Sequence, residues 1–123
     1  MINYLERKWI ALILTVLISI EIFYFSSIPG TVGVGGNPWP ARTYHFAAFF
    51  LFTFFFMALI KRKQKIKLKH ILIVATISIL HAFLDEYHQT FVLLRDSNIT
   101  DILTDTIGIF TSISIYFFID KNQ

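Results

Sequence analysis

Four long apolar runs, parted by three polar breaks, make up almost the whole chain. The first runs from Trp9 to Ile28 and the second from about Tyr44 to Ile60. The third runs from Ile71 to about Phe91 and turns polar in its second half; the fourth runs from Ile102 to Ile119. Each is close to the roughly 20 residues that cross a bilayer as a helix. Lipid leaves helices and closed barrels as the only spanning forms, so long uninterrupted runs predict helices. The expected fold is all-α: an integral membrane four-helix bundle, one domain over residues 1–123. The Phe-rich stretch Phe46 to Phe56 is expected to face lipid. Arg7 and Lys8 before the first run resemble the start of a signal peptide. That run is long and lacks a small-x-small cleavage site, which predicts an uncleaved span.

The breaks set the topology. The link between the first two runs holds Pro29, Pro38 and Pro40 and four of the five Gly, so a loop outside lipid is expected. Its Gly33, Gly35 and Gly36 follow no strand and make no nucleotide fingerprint. The second break, Lys61 to Lys69, carries six basic residues, and the third, around Leu94 to Thr100, is short and polar. Cytoplasmic termini put Arg7, Lys8, those six and Lys121 inside, leaving only Arg42 and Arg95 outside. That asymmetry is a strong positive-inside signal. Trp9 and Trp39 then fall near opposite interfaces, where indole rings prefer to lie.

Composition narrows the class further. The chain has 123 residues, 55% of them hydrophobic, with 14 Phe. Only 15% are Asp, Glu, Lys or Arg, against about 25% in soluble domains. Disorder needs the opposite balance, and a soluble chain this short has too much surface to cover with so few charges. The net charge is +3. The basic run joins two apolar segments, which favours contact with anionic membrane lipids and argues against nucleic acid as a partner. No Cys is present, so disulfide and thiolate chemistry are excluded.

With this topology the unusual residues gather at the outer level. Ser26, Ser27 and Pro29 end the first span, and Arg42 and His45 open the second. Asp85, Glu86, His88 and Gln89 lie in the outer part of the third, Arg95 follows in the loop, and Asp101 and Asp105 begin the fourth. Ionisable groups at membrane depth are costly and face a bundle interior or a wet cavity. His81, Asp85 and His88 stand at i, i+4 and i+7, which places them on one helix face. Asp101, Asp105, Gly108 and Ser112 follow the same rule, and the last two are small enough for close helix approach. Asn98 or Ser97 is the expected cap of the fourth helix.

These residues resemble the VanZ-like family. The resemblance rests on Asp85-Glu86-Tyr87-His88-Gln89 followed by Phe91, Arg95, Asp101, Asp105 and Gly108. Ser26-Ser27-Ile28-Pro29-Gly30, and Arg42 with His45-Phe46, support it over nearly the whole chain. Some positions depart from the family pattern. Ala41-Arg42 stands where Asp-Lys is usual, and Leu93-Leu94 where Pro-Gly is usual. His81 replaces a small or aromatic residue, and Asp105 stands where Asn is also common. The namesake of the family lowers susceptibility to teicoplanin, a lipoglycopeptide that binds the cell-wall precursor lipid II. The resemblance therefore implies a teicoplanin-type resistance activity or a related cell-envelope role. It also implies a lipid-linked cell-wall precursor or the lipoglycopeptide itself as partner.

Two chemistries fit the cluster. In one, Glu86 or Asp85 acts as base with His88 as partner, while Arg42 or Arg95 holds an anionic head group through its planar fork. His45, Gln89, Asp101 and Asp105 complete the ligand-binding set. The other is a metal site from His45, His81, Asp85 and His88, although that spacing is not a recognised zinc signature. The bland alternative is helix–helix hydrogen bonding, worth roughly 0.6–2 kcal/mol per bond. Ser26 and Ser27 are expected to bond helix-end carbonyls and not to act as nucleophiles. Glu21, slightly past the middle of the first span, is protonated there or pairs with His81 or another basic group. Catalysis, cofactors and a homodimer are left open. An occlusion protein without turnover and a structural subunit of a larger complex stand beside the enzyme reading.

Overall fold

The computed structural model describes residues 2–30 and 37–122. Gly33, Gly35 and Gly36 lie outside the described residues. A one-turn helix α1 (Ile2–Leu5) precedes four long helices, α2 (Lys8–Ser26), α3 (Trp39–Lys61), α4 (Leu68–Gln89) and α5 (Ile99–Lys121). All four are long and apolar enough to cross a membrane. The protein is thus an all-helical, multi-pass membrane protein, and the described residues contain no strand.

Each helix buries one stripe at helical spacing. On α2 it is Ala11, Thr15, Ile22 and Ser26; on α5 it is Asp105, Ile109, Ser112 and Tyr116. The opposite face of α2 is apolar and exposed, as at Leu17 and Ile20. In lipid that exposure costs nothing, so packing and interhelical hydrogen bonds must hold the bundle together. Small residues supply the close approach. Ala48, Ala58, Ala82, Ser78 and Ser112 are all buried. A side chain on Gly108 would place its Cβ 2.6 Å from the Phe46 carbonyl oxygen. Here α5 therefore lies against the backbone of α3, as its small residues predict.

The Phe-rich segment behaves differently from its expectation. α3 is the most buried of the four long helices. Phe49 and Phe52 belong to the core, and no Phe between Phe46 and Phe56 is fully exposed. The remaining rings stack along the helix, Phe46 on Phe50 and Phe50 on Phe54. Phe suits lipid and core equally, so composition alone does not decide which it meets.

Helix ends follow local chemistry. Pro40 is not in the loop but in the first turn of α3, where its missing N–H has no intrahelical partner to lose. Asn98 caps α5, its Oδ1 accepting from the Thr100 N–H at 2.9 Å. The turn between α4 and α5 places Leu94 at φ 60°, a left-handed conformation that favours glycine. The Gly30 N–H donates to the Leu93 oxygen at 3.0 Å. Any side chain at Gly30 would strike the Leu94 carbonyl, so the α2–α3 link and the α4–α5 turn are locked against each other.

The basic end holds a network that sequence reading misses. Lys61 is not a solvated loop residue but the last residue of α3, 3% exposed. Its Nζ meets Glu6 Oε1 at 2.7 Å and Asp120 Oδ1 at 2.7 Å. The Tyr116 hydroxyl donates to Glu6 at 3.1 Å, and Asp120 Oδ2 accepts from the Ile66 N–H at 3.0 Å. Glu6 and Asp120 are the only acids near this end, and that scarcity is the signal by which they could have been found.

Candidate functional site

The polar residues at the opposite end fall into two halves. The first joins α2 to α4. Ser26 Oγ donates to Asp85 Oδ1, and Gln89 Nε2 donates to Asp85 Oδ2 at 3.0 Å. Ser26, Asp85 and Gln89 are all buried, so this carboxylate has both oxygens occupied away from solvent. Ser27 Oγ donates to the Phe23 carbonyl at 2.7 Å and lies 3.0 Å from His88 Nε2. A hydroxyl has one proton. With that proton on the carbonyl, Ser27 accepts from His88, which assigns the imidazole proton to Nε2. About two turns deeper than the Ser27–His88 pair, Ser19 Oγ and His81 Nε2 lie 2.8 Å apart. The expectation that Ser26 serves a helix-end carbonyl is thus corrected: its partner is Asp85, and only Ser27 bonds a carbonyl.

The second half joins α3 to α5. His45 Nδ1 donates to Asp105 Oδ1 at 3.0 Å, and both residues are buried. Asp105 fixes the imidazole through Nδ1, so a neutral His45 carries its lone pair on Nε2.

The two halves meet at a cavity of about 340 Å³ lined by Phe25, Ser26, Gly30, Tyr44, His45 and Arg95. Tyr44 lines it, and its hydroxyl is buried without a hydrogen-bond partner among the described residues. Arg95 donates from Nε to the Ile28 oxygen at 3.1 Å and from Nη2 to the Phe25 oxygen at 2.6 Å. Its charge sits on the last carbonyls of α2, where the helix dipole favours a cation. A guanidinium has five N–H donors, so three are left for an anionic group in the cavity.

The other sequence candidates are placed differently. Glu86 is buried, and its Oε1 accepts from the Asn98 N–H at the start of α5. It ties α4 to the α5 cap and does not line the cavity. Its Oε2 is buried without a partner among the described residues. Arg42 lies over the Trp39 ring, 5.6 Å from its centroid, and Ala41 takes the place beside the cavity. Asp101 is half-buried in the first turn of α5. Glu21 is exposed and has no hydrogen-bond or ion-pair partner among the described residues; Ser19 is the residue that meets His81. No three His, Asp or Glu side chains among the described residues are grouped to hold a metal ion. The reason is directional: His45 turns to α5, while His81 and His88 turn to α2. Sequence reading missed Ser19 and Tyr44. Ser19 could have been found from the polar stripe Thr15, Ser19, Ser26 at i, i+4 and i+11.

A family model described as VanZ/LLP1 matches residues 2–120. The chain belongs to the VanZ/LLP1 family. The match covers α2, α3 and α4 in full and α5 up to Asp120, so both halves of the site lie inside the VanZ/LLP1 region. No curated protein and no solved structure matches the chain.

Proposed function

We propose that this VanZ/LLP1 protein acts at the cell envelope, through a polar pocket that holds the anionic head group of an envelope lipid. The phenotype we assign to it is lowered susceptibility to a teicoplanin-type glycopeptide. The observation that carries the reading is the cavity into which Ser26, Tyr44, His45 and Arg95 converge. It combines a cation with free donors, an oriented imidazole and an unpartnered buried hydroxyl. Arginine suits phosphate because its planar fork binds two oxygens together. The positive-inside pattern supports an orientation with the termini in the cytoplasm and this cavity toward the cell wall.

In this reading Arg95 and Tyr44 hold the head group. His45, steadied by Asp105, stands ready to take or give a proton, and Asp85 positions Ser26. Glu86 serves the site indirectly by fixing the start of α5. The test is a sensitive Gram-positive host expressing the chain, assayed with teicoplanin and vancomycin side by side. Selective teicoplanin resistance that disappears in Arg95→Gln and Asp85→Asn, at equal membrane levels, is the expected result. Full resistance in both variants would overturn the reading.

A further inference from the structure

A second cavity, of about 430 Å³, opens sideways between α2 and α4. Its walls are Ile20, Phe23 and Leu84, with His81, Asp85 and His88 along its base. The stripe at i, i+4 and i+7 thus faces a groove and not a sealed core. The rim is exposed: Ile20 is 58%, Phe23 59% and Leu84 67% accessible. All three lie within spans Lys8–Ser26 and Leu68–Gln89, so the groove opens on the hydrocarbon and not on water. From His81 to His88 it runs about 10 Å at 1.5 Å per residue. That is about two thirds of the depth of one leaflet, taking half of a core about 30 Å thick.

The groove adjoins the polar pocket. Asp85 lines the groove, and its carboxylate accepts from Ser26, which lines the cavity beside Arg95 and His45. One hydrogen-bonded pair is therefore the wall between an apolar slot and a cationic mouth. A groove on α5, lined by Ile107, Phe110, Thr111 and Phe118, has a similar volume of about 470 Å³. It has hydroxyls along it but no ionisable group.

We propose that the α2–α4 groove seats the hydrocarbon chain of a net-anionic phospholipid whose head lies at Arg95, the lipid entering sideways from the bilayer. This deepens the pocket reading above and rests on it for the head group. Ile20, Phe23 and Leu84 are the chain-contacting residues. His88, stacked on Phe23 with ring centroids 4.6 Å apart, flanks the outer end of the slot. The lipid is selected by matching two features at once, a chain for the groove and an anion for the mouth.

The test uses the full chain in phosphatidylcholine nanodiscs doped with phosphatidic acid carrying a diazirine in one acyl chain. Irradiation followed by peptide mass spectrometry maps the adducts. Adducts are expected at Ile20, Phe23 and Leu84 roughly tenfold above those at Ile107 and Phe110, the ratio that a charge-assisted head-group contact sets. The enrichment is expected to vanish with a phosphatidylcholine probe of the same chain, and in Arg95→Gln. Ile20→Trp, which fills the slot, should remove it while α5 labelling is unchanged. Equal labelling of both grooves, or equal labelling by both head groups, overturns the proposal. So does protection of the α2–α4 groove, which would mean that a second copy of the chain is seated there. Comparing two faces of one molecule makes the result independent of expression level. The two readings fail separately. Loss of resistance in Asp85→Asn without selective labelling sinks the groove alone. Selective labelling of the unaltered chain with full resistance in both Arg95→Gln and Asp85→Asn sinks the resistance reading alone.

Discussion

Leu94 shows how one residue can be out of step with its backbone. The turn after α4 needs a left-handed residue, and Leu94 occupies it at φ 60°. The family pattern commonly has glycine there. A non-glycine side chain in this region costs about 1–2 kcal/mol, and glycine returns part of that through the greater freedom of the unfolded chain. Leu94→Gly is therefore expected to stabilise the protein by up to about 1 kcal/mol. A rise in the thermal midpoint in detergent checks this; a fall would mean that the exposed leucine side chain is held by something beyond the turn. Asp85 makes the contrasting point. Its neighbours Ser26 and Gln89 satisfy both oxygens, so its hydrogen bonding is met locally and does not depend on distant groups.

Helix packing rests on where the small residues fall. α3 and α5 touch backbone to backbone at Gly108, and His45 and Asp105 bridge the same two helices. Gly108→Ala must push α5 off the Phe46 carbonyl, and overpacking of this kind costs about 1–3 kcal/mol. The better helix propensity of alanine recovers at most about 1 kcal/mol. A net loss of thermal stability is expected, with Ser114→Ala on the exposed face of α5 as a control that changes little. If Gly108→Ala is neutral, the α3–α5 contact is looser than the geometry implies. Because the His45–Asp105 pair depends on that approach, the same variant should also weaken the activity of the pocket.

The molecule as a whole is tied at both ends by polar groups across an apolar middle. At the basic end Lys61 connects the α1–α2 turn, α3 and α5 through Glu6 and Asp120. Replacing it by methionine leaves two acids buried together. The network lies at the end of the bundle, close to the interface, so the expected cost is about 2 kcal/mol, below the roughly 3–5 kcal/mol of breaking a deeply buried pair. Adding Glu6→Gln and Asp120→Asn should recover most of that loss, since an ion network replaced as a unit is often neutral. A triple variant no more stable than Lys61→Met would show that the cost lies in lost packing and not in charge. Orientation is testable because the chain has no cysteine. Cysteine at Lys63 should react with an impermeant maleimide only after cells are opened, and cysteine at Asp96 should react in intact cells. The reverse pattern would place the pocket on the cytoplasmic side.

Hydropathy, charge asymmetry and the Asp85-to-Gln89 motif carried the class, the four spans, the family and the end of the bundle where polar residues gather. These properties are local or additive: solvation in lipid acts on each segment separately, and helical spacing places residues on faces without reference to partners. The His81, Asp85, His88 stripe was legible for that reason, as were Gly108 and the Asn98 cap. Partner choice was not. Whether Asp105 meets His45, whether Glu86 faces a cavity or the α5 cap, and whether phenylalanines meet lipid or core all depend on helix rotation and neighbour order. Tertiary packing alone decided these. It turned Arg42 onto Trp39, put Arg95 over the end of α2, and drew Lys61 from the basic loop into a buried network. The physical reason is that a long apolar helix has no strong preference for one face in lipid, so its rotation is set by the few small and polar residues that find partners on another helix.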